Sequence, residues 1–346
     1  MKRLLLMATL ASVAFAGCSK DENFYEKEQA KEEISFVPVA YKSGSRATTI
    51  VSGIEYPTDL QFNVWAWNGE DASTGTNANA FMTKETVSFV EMGTNDAWAP
   101  SKPYFWPKTS NDKVDFFAIS PANVSPAPSP ADHDHFTITD YTVNKGKGQN
   151  VDLMYSNKAC GKTSNDGKKA NLRDGVALTF NHALAQLKFK IAKKDVTPTR
   201  TMTLTKVELT NVNTQAILDL STAKLSTVAW SGHKTKGIFD KTGLNQTINT
   251  EPAAITIGGT AEDYWLVIPQ TIDSGSYLTF TVTNNEVATE YKVQTNTIPS
   301  ITEWEKGKIY TYTITLNPVS PDEILFIPSV TDWTNEAGTQ TLPSES

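Results

Sequence analysis

The chain of 346 residues is short of cysteine, with two, and of histidine, with four. That supply is poor for thiol or triad catalysis and leaves little room for a disulfide framework. A Gly-x-Ser-x-Gly elbow, a phosphate-cradling glycine loop and a His-Glu-x-x-His pair are all missing from the sequence. Carboxylate pairs of the glycosidase kind stay open, because the fold sets their spacing. Basic stripes are missing too: the formal charge is -7 and acids are spread along the chain, which argues against nucleic acid as a partner. Strong helix formers are sparse outside residues 20–33 and 182–194.

Aliphatic and aromatic residues make up 39% of the chain, enough for a packed core in about two domains of roughly 150 residues each. Threonine, serine and asparagine are abundant, which favours strands over helices. Period-two alternation recurs at Phe62–Ala66, Asp115–Ile119, Val176–Phe180, Leu187–Ile191, Met202–Val212, Tyr264–Ile268, Tyr277–Val282 and Ile309–Leu316. Such short strands between Gly, Pro and Asn predict an all-β chain built of sandwiches. Residues 71–80, 121–134 and 161–174 read as loops. A helical turn is expected at Asn181–Gln186, and a domain boundary near Lys193–Arg200.

The chain starts with Lys2-Arg3, continues with a 12-residue apolar run from Leu4 to Phe15, and reaches Ala16-Gly17-Cys18. That run is too short to span a bilayer, so residues 1–17 read as a secretory signal peptide. Cysteine directly after Ala-Gly is the lipobox pattern, which predicts lipid on Cys18 and an outer-membrane anchor. Losing Lys2 and Arg3 leaves 29 of 31 basic residues against 38 acidic ones, a mature charge of -9. Lipid on Cys18 would leave Cys160 with no disulfide partner. The Ser19-Lys20-Asp21-Glu22 that follows resembles the signal carrying lipoproteins of Bacteroidetes-type bacteria to the cell surface.

Two stretches share a pattern. Glu33, Ile34, Phe36 and Pro38 match Glu323, Ile324, Phe326 and Pro328 in type and spacing, one copy at each end of the expected folded region. Each reads as a strand whose Ile and Phe point the same way and whose proline cannot donate to a ladder. Two strands shaped for one groove would look like this. Between the first copy and the body lies Ser43-Gly44-Ser45-Arg46-Ala47-Thr48, small, flexible and fit for an arginine-specific protease. A cut between Arg46 and Ala47 would release the first strand and the lipid together. The vacated edge could then take a neighbour's strand carrying Ile324, Phe326, Pro328 and Val330, giving an open head-to-tail filament.

On these residues the chain resembles the fimbrillins, the type V pilins of Bacteroidales. The resemblance rests on the leader, Ile34-Ser35-Phe36, Ser45-Arg46-Ala47, Tyr104-Phe105-Trp106-Pro107, Phe116 to Pro121, His182-Ala183-Leu184 and Trp304 to Tyr310. It implies two transthyretin-like antiparallel sandwiches in tandem, here 47–195 and 196–346, behind a lipidated pro-segment 18–46. It further implies maturation at Arg46 and polymerisation through the strand at 322–330. The expected partners are other pilin subunits (in a homopolymer or mixed filament), the protease, the outer membrane before maturation, and host or bacterial surface ligands. No cofactor, metal or catalytic residue is expected, and the mature protein belongs in an extracellular fimbrium. A candidate donor tail together with a cleavage-like arginine favours a stalk subunit over a tip or anchor.

The remaining features have plainer readings. His133 and His135 suit one face of a strand but bring no further ligands. His182 is expected to be a buried structural histidine. Trp65, Trp67, Trp98, Trp106 and Trp230 could stack on sugars in a surface glycan-binding lipoprotein, the rival reading, although core packing is commoner for such residues.

Overall fold

The computed structural model describes residues 32–40, 56–68, 79–91, 96–108, 113–130, 135–143, 151–166, 175–221, 228–257, 264–284 and 287–333. Cys18, Arg46, Ala47 and His133 lie outside these. The first ten strands are β1 (Phe36–Ala40), β2 (Phe62–Asn68), β3 (Asn79–Val90), β4 (Ala97–Pro100), β5 (Val114–Ser120), β6 (Ser129–Pro130), β7 (His135–Thr142), β8 (Met154–Ser156), β9 (Ala159–Lys162) and β10 (Val176–His182). After them come β11 (Ala185–Lys193), β12 (Met202–Ser221), β13 (Ala229–Thr247), β14 (Ala253–Ala254), β15 (Tyr264–Val267) and β16 (Gln270–Thr271). The last are β17 (Tyr277–Asn284), β18 (Val287–Gln294), β19 (Glu303–Trp304), β20 (Lys308–Leu316) and β21 (Ile324–Asp332). Helix among the described residues is one 3₁₀ turn at Thr295–Thr297. The chain is all-β, as its alternation predicts.

The first group of strands closes on itself. Its hydrogen-bonded order is β2-β3-β4-β1-β10-β8-β5, and β5 pairs back to β2, while β9 hangs on β5. Why this closes is visible in β2 and β5, which are buried on both faces. Phe62, Val64 and Ala66 of β2, with Val114, Phe116 and Ala118 of β5, point into one core. The alternate residues Trp65, Trp67, Phe117 and Ile119 point into another. Period two therefore feeds two cores from one strand pair, because a fully buried sheet carries apolar residues at both parities.

The second core is shared with two further sheets. One has the order β14-β11-β20-β21, with β15 also on β11; the other runs β18-β17-β12-β7-β6, with β13 also on β12. Both β7 and β11 precede residue 195 yet pair with strands from the second half. The switch of sheets happens at Ala183–Leu184, between β10 and β11. The helical turn expected at Asn181–Gln186 is not formed. Asn181 and His182 finish β10, Ala185 and Gln186 begin β11, and the Ala183 amide donates to the Leu153 carbonyl at 2.8 Å. Ala183, Leu184 and Ala185 are fully buried, so tertiary packing overrides the local helical preference.

Candidate functional site

β1 is a stave of the closed ladder, held on both sides. Along β10 it runs parallel, with Phe36 opposite Val176 and Ala40 opposite Phe180. On the other side it meets β4 at Phe36 opposite Trp98. The residues before it are tied to a second wall made by Tyr104-Phe105-Trp106. There the Ile34 amide donates to the Tyr104 carbonyl at 2.8 Å, the Trp106 amide to the Glu32 carbonyl at 3.0 Å, and Glu33 bridges Phe105.

Ile34, Phe36 and Pro38 are all buried in this setting. Phe36 stands edge-on to Phe62, with centroids 6.2 Å apart, and to Phe116 at 5.6 Å. Around them Tyr56, Trp98 and Phe180 complete an aromatic lining. Tyr56 gives its hydroxyl a buried partner, Ser120 Oγ at 2.7 Å, and burial pushes its phenol well above the ordinary range. Pro38 lies beyond the single position where β4 pairs with β1, so its missing N–H deprives no ladder on that side. Burying Ile34 and Phe36 contributes about 3–6 kcal/mol together, at roughly 1.5–3 for each such side chain.

β21 has the same pattern in a different setting. Among the described residues it pairs with β20 alone, antiparallel, from Leu316 opposite Ile324 to Lys308 opposite Asp332, and forms the end of its sheet. Ile324, Phe326 and Pro328 are half-buried, and the first two pack on the second core. Leu325 and Ile327, on the opposite face, are each 57% exposed, and Val330 is 48% exposed. An edge strand with apolar residues out on both parities is a template for pairing with another chain.

Both ends of β21 are tied down by polar contacts. At its start Glu323 accepts from Lys194 Nζ at 2.9 Å and from Asn317 Nδ2 at 2.6 Å, which together hold its carboxyl below the usual range. At its far end Lys308 Nζ meets Asp332 at 2.5 Å. Trp333 is buried, its amide donates to the Gly307 carbonyl at 2.8 Å, and its ring stacks on His182 at 3.8 Å and 3°. His182 in turn faces Asp152 Oδ2 through Nδ1 at 2.8 Å. So the expected structural histidine is the last residue of β10, and the end of β21 leans on it. Trp333 Nε1 is buried without a hydrogen-bond partner among the described residues, which makes this seat costlier than its apolar contact suggests.

Other candidates recede. Trp65, Trp67, Trp98 and Trp106 are buried. Trp230 is half-buried beside Tyr141 at 5.6 Å, and its Nε1 donates to the Ala183 carbonyl at 2.7 Å. These five rings belong to packing and do not form a sugar-stacking platform. His135 opens β7 on the surface, and among the described residues no group of three metal-ligating side chains gathers. Cys160 is exposed. No described helix is long and apolar enough to cross a membrane.

A fimbrillin-like family model matches residues 45–333, starting after β1 and ending on Trp333. Among solved structures the chain is similar to a fimbrial protein from Bacteroides vulgatus, at 17% identity over 88% of this chain and 100% of that one, with a TM-score of 0.58. It is also similar to a candidate cell adhesion protein from Bacteroides uniformis, at 19% identity over 88% and 99% of the two chains, with a TM-score of 0.51. A third likeness, to another such candidate from Bacteroides ovatus, has 15% identity over 89% and 100%, with a TM-score of 0.52. No curated protein matches the sequence. At these identities the solved structures establish a shared fold, while the family match spans most of the chain and assigns it: this protein belongs to the fimbrillin-like family.

Proposed function

We propose that the chain is a stalk-type pilus subunit, a structural protein rather than an enzyme. It is exported as a surface lipoprotein on Cys18 and cut between Arg46 and Ala47 by an arginine-specific protease. It then polymerises by placing its C-terminal strand in the groove that β1 leaves in the next subunit, and the extracellular filament supports adhesion. Family membership supports the subunit role. One observation carries the exchange: three of the matched positions face inward in both segments. Ile34, just before β1, and Phe36 and Pro38 within it are buried, and Ile324, Phe326 and Pro328 are the half-buried side of β21. One strand could therefore replace the other without turning over.

The geometry suits exchange in two further ways. Removing β1 would leave β4 and β10 about 9–10 Å apart, two strand spacings, room for one strand. Losing β21, in contrast, would leave β20 still paired with β11 over eight positions, so the sheet keeps its integrity. We read the two cores as tandem transthyretin-like sandwiches, dividing at the ladder level where β10 passes into β11.

Arg46→Ala tests the reading. The variant should stay monomeric and lipid-anchored while the native chain forms filaments that resist SDS. Filaments assembled normally by the variant would refute the cleavage step. A native subunit that keeps its lipid and resists the protease would be an anchor.

A further inference from the structure

Gly175 lies immediately before β10, buried, with no positive φ to explain the choice of glycine. The reason lies across the groove. A Cβ at this position would stand 2.5 Å from the carbonyl carbon of Phe36 and 2.7 Å from its Cα and nitrogen. All three are backbone atoms, so no rotamer change relieves the clash, and only the strand as a whole could move away. Beside this contact the Val176 amide donates to the Ser35 carbonyl at 2.8 Å, and Phe36 is also the one residue of β1 that pairs with β4. The groove thus leaves no room for a Cβ where the backbone at Phe36 passes Gly175. Glycine inside a β structure commonly marks such an approach of another backbone.

We infer that Gly175 fixes the register and depth of whichever strand fills this groove, and that in the filament its occupant is the second copy's β21 with the Phe326 backbone lying over Gly175. The inference rests on the strand-exchange reading above and adds the register to it. Two constraints select this register. Phe326 at the position of Phe36 sends its ring between Phe62 and Phe116, and puts Ile324 where Ile34 now lies. Pro328 then falls at the position of Pro38, beyond the β4 pairing. A two-residue slip would bring Pro328 to the position of Phe36, against Gly175 and between both walls, where its missing N–H and its ring are least welcome. A one-residue slip would turn Ile324 and Phe326 out of the core. The occupant also differs from the resident strand in being more apolar: Leu325, Ile327 and Val330 stand where β1 has Ser35, Val37 and Ala40.

The test uses the full chain carrying Arg173→Lys, so that the neighbouring arginine does not confuse the cut, together with Ile324→Asp and Phe326→Asp, so that acceptors cannot fill one another's grooves. This chain is digested with an arginine-specific protease at Arg46. A fluorescent synthetic peptide covering Asp322–Trp333 is the probe, and anisotropy reads its uptake. Native acceptor should take up the peptide, and Gly175→Ala should weaken that uptake at least tenfold. Equal uptake by both acceptors would overturn the role of Gly175 while leaving strand exchange standing. No uptake by the native acceptor would overturn strand exchange, and this inference with it. Should Gly175→Ala not fold, a peptide with a benzophenone at position 326 decides the matter on the native acceptor. Photo-cross-links at Phe62 or Phe116 are expected, and cross-links confined to other segments would overturn the register.

Discussion

β1 and β21 have nearly the same words and opposite fates. Both segments place Ile, Phe and Pro on one face, yet β1 and the residues before it are closed in by β10, β4 and the Tyr104–Trp106 wall, while β21 has β20 and, among the described residues, no strand beyond it. The difference lies in the number of walls rather than in the strand. A sequence suited to a two-walled groove, set on a one-walled edge, stays half-buried and leaves its second face to solvent. That is an unstable economy for a finished protein and a sensible one for a subunit awaiting a neighbour.

The comparison can be broken most forcefully at β21. Replacing Ile324 and Phe326 together with Asp should abolish assembly, since each unpaired charge in an apolar groove costs several kcal/mol. The same subunit should remain folded, because at home both side chains are only half-buried. Filament yield beside a melting curve checks both halves. Matched alanines sharpen the contrast: Phe36→Ala in the uncut chain should cost about 3–5 kcal/mol, and Phe326→Ala about 1 kcal/mol, measured by denaturant unfolding. Equal losses would mean that the two strands share one kind of environment after all.

Trp333→Ala should act at the tether of β21. Losing that buried ring should cost about 2–3 kcal/mol of local stability, read as faster amide hydrogen exchange in residues 324–332 with little change in β10. If exchange in β21 were unaltered, the stack on His182 would not be what holds it.

The smallest effect concerns pH. Glu323 has a folded pKa below its ordinary 4.5, chiefly through the hydrogen bond from Lys194. A depressed carboxyl contributes stability that is present above the unfolded value and is lost as pH falls through the folded one. The start of β21 should therefore loosen only below about pH 4.5, and weakly, since the pair is exposed to solvent. Hydrogen exchange of residues 323–326 at pH 3 against pH 6 would show it, and Lys194→Met should remove the difference.

How much of this was legible beforehand follows from what is local. The strands with clean alternation announce themselves, from Phe62–Asn68 to Lys308–Leu316, and so does the pair of matched segments. β13 does not. Its 19 residues hold lysines and three glycines, and among them only Phe239 is buried, so no period survives to be read. The walls of the groove are also silent: nothing in Tyr104-Phe105-Trp106 or Val176–Phe180 says that each lies against residues 33–40. Gly175 is quieter still, because its meaning comes from a backbone some 140 positions away along the chain. Distant pairing is fixed by the assembled core, and local pattern records only the strand's own half of it. The turn at Asn181–Gln186 fails for the same reason, since burial of Ala183 to Ala185 decides against local propensity.

The most direct measurement is mass spectrometry of subunits taken from assembled filaments. The account predicts an N-terminus at Ala47, with residues 32–40 absent from the filament because β21 of the next subunit has taken their place. Filament subunits that still carry Glu32–Ala40 would contradict it, since a groove already filled by β1 has no room for a second strand.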